Sequence, residues 1–156
     1  MRVTPCRASW LLLWCLLLSG CVSSHQRTLN RLIKEDGGSL GISHIESIVL
    51  PPQGEPAHVL LYPVGAHASR AQVVAFRHGV PAVLFSVGSS TPNTDFRIEQ
   101  GVPMIMLEQA DYAPDYATGY RYAEVYAWDG NTFSLKAKNP LEQHTDKNGF
   151  IVTESP

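Results

Sequence analysis

Two carboxylates and two tyrosines crowd into six positions at Asp111-Tyr112-Ala113-Pro114-Asp115-Tyr116. Paired acids at short spacing are the raw material of general acid–base catalysis. That chemistry needs burial or a charged neighbour to separate their pKa values. Pro114 denies the segment a regular helix that would set both acids on one face, and no apolar run beside them promises burial. We therefore read the segment as a loop. Tyrosine offers large contact area at low conformational cost, so Asp111, Tyr112, Asp115, Tyr116 and the nearby Tyr120 are candidates for contact with a protein partner. Packing on their own domain is the alternative.

Other chemistry is thin. Histidines 25, 44, 58, 67, 78 and 144 are dispersed, without the clustered spacing of a metal site. No Gly-x-Ser-x-Gly elbow, His-Glu-x-x-His pair or glycine-rich phosphate loop occurs. The run from His144 to Glu154 contains Asp146, Asn148 and Gly149. It would place histidine at the first ligand position of a calcium loop and its glutamate one residue early, so a plain Asn-Gly hairpin is the better reading. We expect no enzyme, no metal and no cofactor.

The cysteines tell more. Arg2 and Arg7 precede an apolar run from Trp10 to Leu18, followed by Leu18-Ser19-Gly20-Cys21. A basic start, a short apolar core and small residues before a cleavage point make a secretory signal peptide, and the core is shorter than the roughly 20 apolar residues of a membrane span. With cysteine directly after the small residues, the pattern resembles the lipobox of bacterial lipoproteins. The resemblance implies cleavage after residue 20 and a diacylglyceryl thioether on Cys21, an anchor to which each buried methylene contributes about 0.8 kcal/mol. Val22 stands where the resembling inner-membrane lipoproteins carry aspartate. This implies the outer membrane and a domain facing the periplasm, the inner membrane and the cell surface being the alternatives.

Processing would remove Cys6 and Cys15 along with Arg2 and Arg7. The 12 basic residues less those two leave 10 against 14 acidic ones, a formal charge of −4. With no basic run, nucleic acid is a poor partner. With one cysteine left, and that one lipidated, stability must come from burial. About 136 residues suffice for one core.

Along the mature chain, Leu29, Leu32 and Ile33 have helical spacing and end at Gly37-Gly38. So short a helix is marginal alone, and we prefer a spacer that lifts the domain from the membrane. Ile42 to Leu50 reads as a first strand, so residues 21–50 form a lipidated tether with a short helix or strand, and 51–156 a β domain. Strands follow at Val59–Tyr62, Gln72–Phe76, Ala82–Val87, Phe96–Ile98, Met104–Glu108, 119–128 and 131–138, with a last hairpin through Asn148-Gly149. Asp129-Gly130 suggests a two-residue turn pairing Trp128 with Asn131. Tyr120, Tyr122 and Tyr126 would then lie on one face with Phe133 and Leu135, a stripe better suited to a core than to a sugar platform. Glu124 between them needs a partner. We expect an all-β fold, an antiparallel meander or sandwich or a few propeller-like blades.

Gly-Val-Pro recurs after 22 positions, at Gly79-Val80-Pro81 and Gly101-Val102-Pro103. Together with Val-Tyr-Ala-Trp-Asp-Gly-Asn-Thr-Phe at 125–133, it resembles degenerate FG-GAP or VCBS-type propeller blades over roughly Gln72 to Leu135. The calcium loop of such blades is missing from 74–78 and 96–100. Some lipoproteins with blades of this kind inhibit cell-wall hydrolases. The resemblance thus implies an inhibitor or immunity protein, with an envelope-assembly or secretion-associated accessory as the alternative.

Overall fold

The computed structural model describes residues 24–110, 121–145 and 151–154, the last two strands by their backbone alone. A helix, α1, covers residues 24–35. After a 3-10 turn at Leu40–Ile42 come β1 (His44–Leu50), β2 (Glu55–Val64), β3 (Ala68–Arg77) and β4 (Val80–Ser89). Next are β5 (Thr94–Glu99), β6 (Val102–Ala110), β7 (Arg121–Trp128) and β8 (Phe133–Pro140), then the short β9 (Glu142–Thr145) and β10 (Ile151–Glu154). β1 to β4 form one antiparallel meander, β5 to β8 a second, and β9 pairs with β10, the Asn148-Gly149 between them lying outside the described residues. Among the described residues no helix is long and apolar enough to cross a membrane.

The two four-stranded sheets share one core. Val59, Leu61, Val73 and Ala75 from the first meet Phe96, Ile105, Leu107, Trp128 and Phe133 from the second. Alternation along a strand explains why β2 and β3 are apolar on both faces. Their other side, with Leu60, Tyr62 and Val74, is covered by Leu29 and Ile33 of α1. The order is thus helix, sheet, sheet.

Residues 24–35 are therefore not a spacer. Alone the helix would be marginal, but Leu29 and Ile33 are 1% and 0% exposed, each such burial contributing about 1.5–3 kcal/mol. Gly37 (φ 78°) ends it in a Schellman turn, with Gly38 N donating to Ile33 O at 2.8 Å and Gly37 N to Lys34 O at 3.0 Å. Within the turn, Asp36 accepts the Tyr62 hydroxyl at 2.8 Å and pairs with Arg70 Nε at 2.7 Å, pinning the helix end to the sheet. β1 is also part of this sheet, paired with β2 from His44↔Leu61 to Leu50↔Glu55. A division at residue 50 would cut that hairpin.

Both Gly-Val-Pro sites are two-residue hairpin turns. His78-Gly79 and Gln100-Gly101 have φ of 54° and 79°, and 51° and 81°, the paired left-handed values of a type I′ turn. One is the last hairpin of the first sheet, the other the first hairpin of the second. The β7–β8 hairpin departs from the expected register. Trp128 pairs with Phe133, leaving a four-residue loop. The Asp129 carboxylate accepts Asn131 N at 3.0 Å and Thr132 N at 2.9 Å, which hold its pKa down, and this side-chain turn replaces the tight Asp-Gly turn.

Candidate functional site

The residues singled out from the sequence as candidates for partner contact belong to the connection between β6 and β7, whose base the structure describes. β6 ends at Ala110 and β7 begins at Arg121. Asp111, Tyr112, Asp115, Tyr116 and Tyr120 fall between them, outside the described residues, as does Cys21. What the structure does describe is how the two stems are held.

β4 leaves the first sheet at Ser89, and Ser90-Thr91-Pro92-Asn93 crosses to β5 in the second. This crossover is tied to the end of β6 by side chains. Gln109 Oε1 accepts Ser90 N at 2.9 Å. Ser90 Oγ accepts Ala110 N at 2.7 Å and lies 3.1 Å from both Gln109 Oε1 and Ala110 O, to one of which it donates. Thr91 Oγ1 donates to Glu108 O at 2.8 Å, where Ser89 Oγ also donates, and Ser69 Oγ donates to Thr91 O at 2.8 Å. Hydroxyls in a turn bond nearby backbone groups readily, and here that tendency joins the two sheets.

The β7 stem enters the same lattice. Glu124 pairs in register with Leu107, so its carboxylate lies on the core side of the sheet. It accepts Gln109 Nε2 at 3.2 Å and the Tyr126 hydroxyl at 3.1 Å, and Gln109 Nε2 also donates to Gly88 O at 3.0 Å. Burial, and then the Glu124 charge, push the Tyr126 phenol up to about 12, so it stays protonated and serves as a donor. On the opposite face, Arg121 Nη1 donates to Glu108 Oε1 at 2.8 Å, and Asn93 Nδ2 donates to the same carboxylate. That pair joins the last residues of β6 to the first of β7.

These groups are occupied with one another. Among the described residues, the Glu124 carboxylate is met by two donors and Tyr126 is held as a donor, so this part of the site forms a cross-linked frame. Among the described residues, no three histidine, cysteine or acidic side chains gather to hold a metal ion. Of the tyrosine stripe, Tyr126 packs on Phe85 at 5.2 Å between the sheets, and Tyr122 lies under Lys138 Nζ at 3.6 Å. The sequence reading had no place for Ser89, Ser90, Thr91 or Gln109. A Ser-Ser-Thr-Pro run signals a loop, but not which strand its hydroxyls will bond.

Compared with known protein families, with curated proteins and with solved structures, the chain matches none.

Proposed function

We propose that this chain is a lipid-anchored envelope protein that recognises another protein through the β6–β7 connection, in its sharpest form as an inhibitor or immunity protein against a cell-wall hydrolase. The observation that carries the reading is the lattice just described. Binding loops work from rigid scaffolds, and both stems of this aromatic, acidic segment are fastened across two sheets. The lipobox-like Leu18-Ser19-Gly20-Cys21 supports the anchor. Replacing Cys21 by serine is expected to abolish acyl labelling, and unchanged labelling would refute the anchor.

The partner is tested by affinity capture from envelope extract with the chain purified in detergent, beside a Tyr112→Ala/Tyr116→Ala double variant. A hydrolase retained by the parent and lost by the variant is the expected result. A secretion or assembly complex retained equally by both would overturn it in favour of the accessory reading.

A further inference from the structure

Four strand edges bound the two sheets, and two are blunted in familiar ways: β8 carries Lys136 and Lys138, and β4 has Pro81 near its start and a register break opposite Val73/Val74. β1 is regular and its His44 and Glu46 pair at 3.4 Å, so what sets β5 apart is the pair of clefts beside it. β5 is regular, lacks proline, and among the described residues is paired on one side only. Its Arg97 and Glu99 neutralise each other at 2.7 Å. Among the described residues Asp95 has no cation in ion-pair range.

The hairpin register says which β5 groups are open. Residues flanking a two-residue turn exchange both backbone bonds, here Glu99 and Val102, so Arg97 and Asp95 also bond β6. Thr94, Phe96 and Ile98 therefore turn their N–H and C=O groups away from the sheet. The Asp95 carboxylate covers one of these, accepting Phe96 N at 2.8 Å. This is a removable cap on an otherwise usable edge.

A cleft opens on either side of β5 near that cap. One, of about 320 Å³, lies between the sheets against Ile42, Leu61, Pro63 and Phe96, with His44 and Ser69 also on its wall. The other, of about 300 Å³, lies on the outer face against Met106, Glu108 and Leu141. Thr94 and Asp95 line both. Successive side chains of an added strand point to opposite faces, the spacing at which clefts flank β5.

We propose that the β5 edge receives an extended basic peptide of a partner protein as an added strand. Every second side chain, apolar, enters the inter-sheet cleft. The intervening lysine or arginine enters the outer cleft and lays its stem along Met106. Its cationic end takes over Asp95, which releases Phe96 N–H to a partner carbonyl. Acidic peptides are rejected, because they would set a carboxylate against Asp95, whose charge no cation among the described residues offsets as Arg121 offsets Glu108.

The test is amide hydrogen exchange on the full chain in detergent, with an eight-residue peptide alternating valine and lysine and its valine–glutamate counterpart. The lysine peptide should slow exchange at Thr94, Phe96 and Ile98, and the glutamate peptide should bind at least ~10-fold more weakly, the scale of one close charge pair. Asp95→Asn should weaken the lysine peptide by a similar factor. Ile98→Pro, which removes an outward N–H the sheet does not use, should abolish its binding with the circular dichroism unchanged. If that variant misfolds, Asp95→Asn decides alone. Slowed exchange along β1, β4 or β8 instead, equal affinity for both peptides, or no response to millimolar lysine peptide would each overturn the proposal.

Discussion

Gln109 is the side chain on which the frame beneath the β6–β7 connection depends, and replacing it by leucine tests that directly. The change keeps the volume and removes the contacts to Ser90 N, Ser90 Oγ, Gly88 O and Glu124 Oε2. Each net hydrogen bond contributes about 0.5–1.5 kcal/mol, and a buried group left without its partner costs about 1–3 kcal/mol. Gln109 is half-buried, so water replaces some of what is lost and the expected destabilisation is about 2–3 kcal/mol. With a urea slope of about 2 kcal/mol per molar, the midpoint should fall by about 1–1.5 M at unchanged slope. Far-UV circular dichroism during urea titration reads it. Gln53→Leu is the control, since Gln53 makes a single exposed bond to Gly130 O at 3.1 Å and should cost under about 0.5 kcal/mol. Equal midpoint shifts for the two variants would refute the claim that Gln109 ties the sheets together.

Two further outcomes follow from the covered face of the first sheet. A Cβ on Gly38 would run into the Tyr62 ring and lie 2.6 Å from Ile33 Cγ2 and 2.9 Å from Ile33 O, so Gly38→Ala should destabilise by about 1–3 kcal/mol, while Gly41→Ala, which meets open space, should be near neutral in the same denaturation. His58 has its pKa lowered from 6.5, first by burial and then by the charge of His25, so the folded chain holds it neutral while the unfolded chain takes up a proton. Its contribution is complete above about pH 6.5 and declines as pH falls through that value towards the folded pKa; His58→Gln should flatten this part of the stability profile measured from about pH 7.5 to 5, and an unchanged slope would refute it.

Within the described residues, the local content of the β fold was open to reading. Strand positions follow from apolar alternation and from turn residues such as Gly79 and Gly101, whose left-handed φ only a few residue types adopt without cost. These are properties of neighbours in the chain, so a linear string carries them. The identity of the site was less legible. Asp111, Tyr112, Asp115, Tyr116 and Tyr120 declare themselves by type, but Ser90 and Gln109 have ordinary neighbours.

Only tertiary structure decided three things. α1 is a helix because Leu29 and Ile33 find Leu60, Tyr62 and Val74, partners about 30 to 45 residues away that no local propensity contains. The β7–β8 register is set where Trp128 and Phe133 pack at 5.3 Å in the shared core and Asp129 caps its own loop, a combination that outweighs the turn preference of Asp-Gly. Glu124 is tolerated on the core side because Gln109 and Tyr126 meet it there. The chain by itself determined where strands, turns and the lipobox-like motif stand. Which faces meet was decided by burial between distant segments, since a buried group's environment depends on what the fold brings to it rather than on what precedes it.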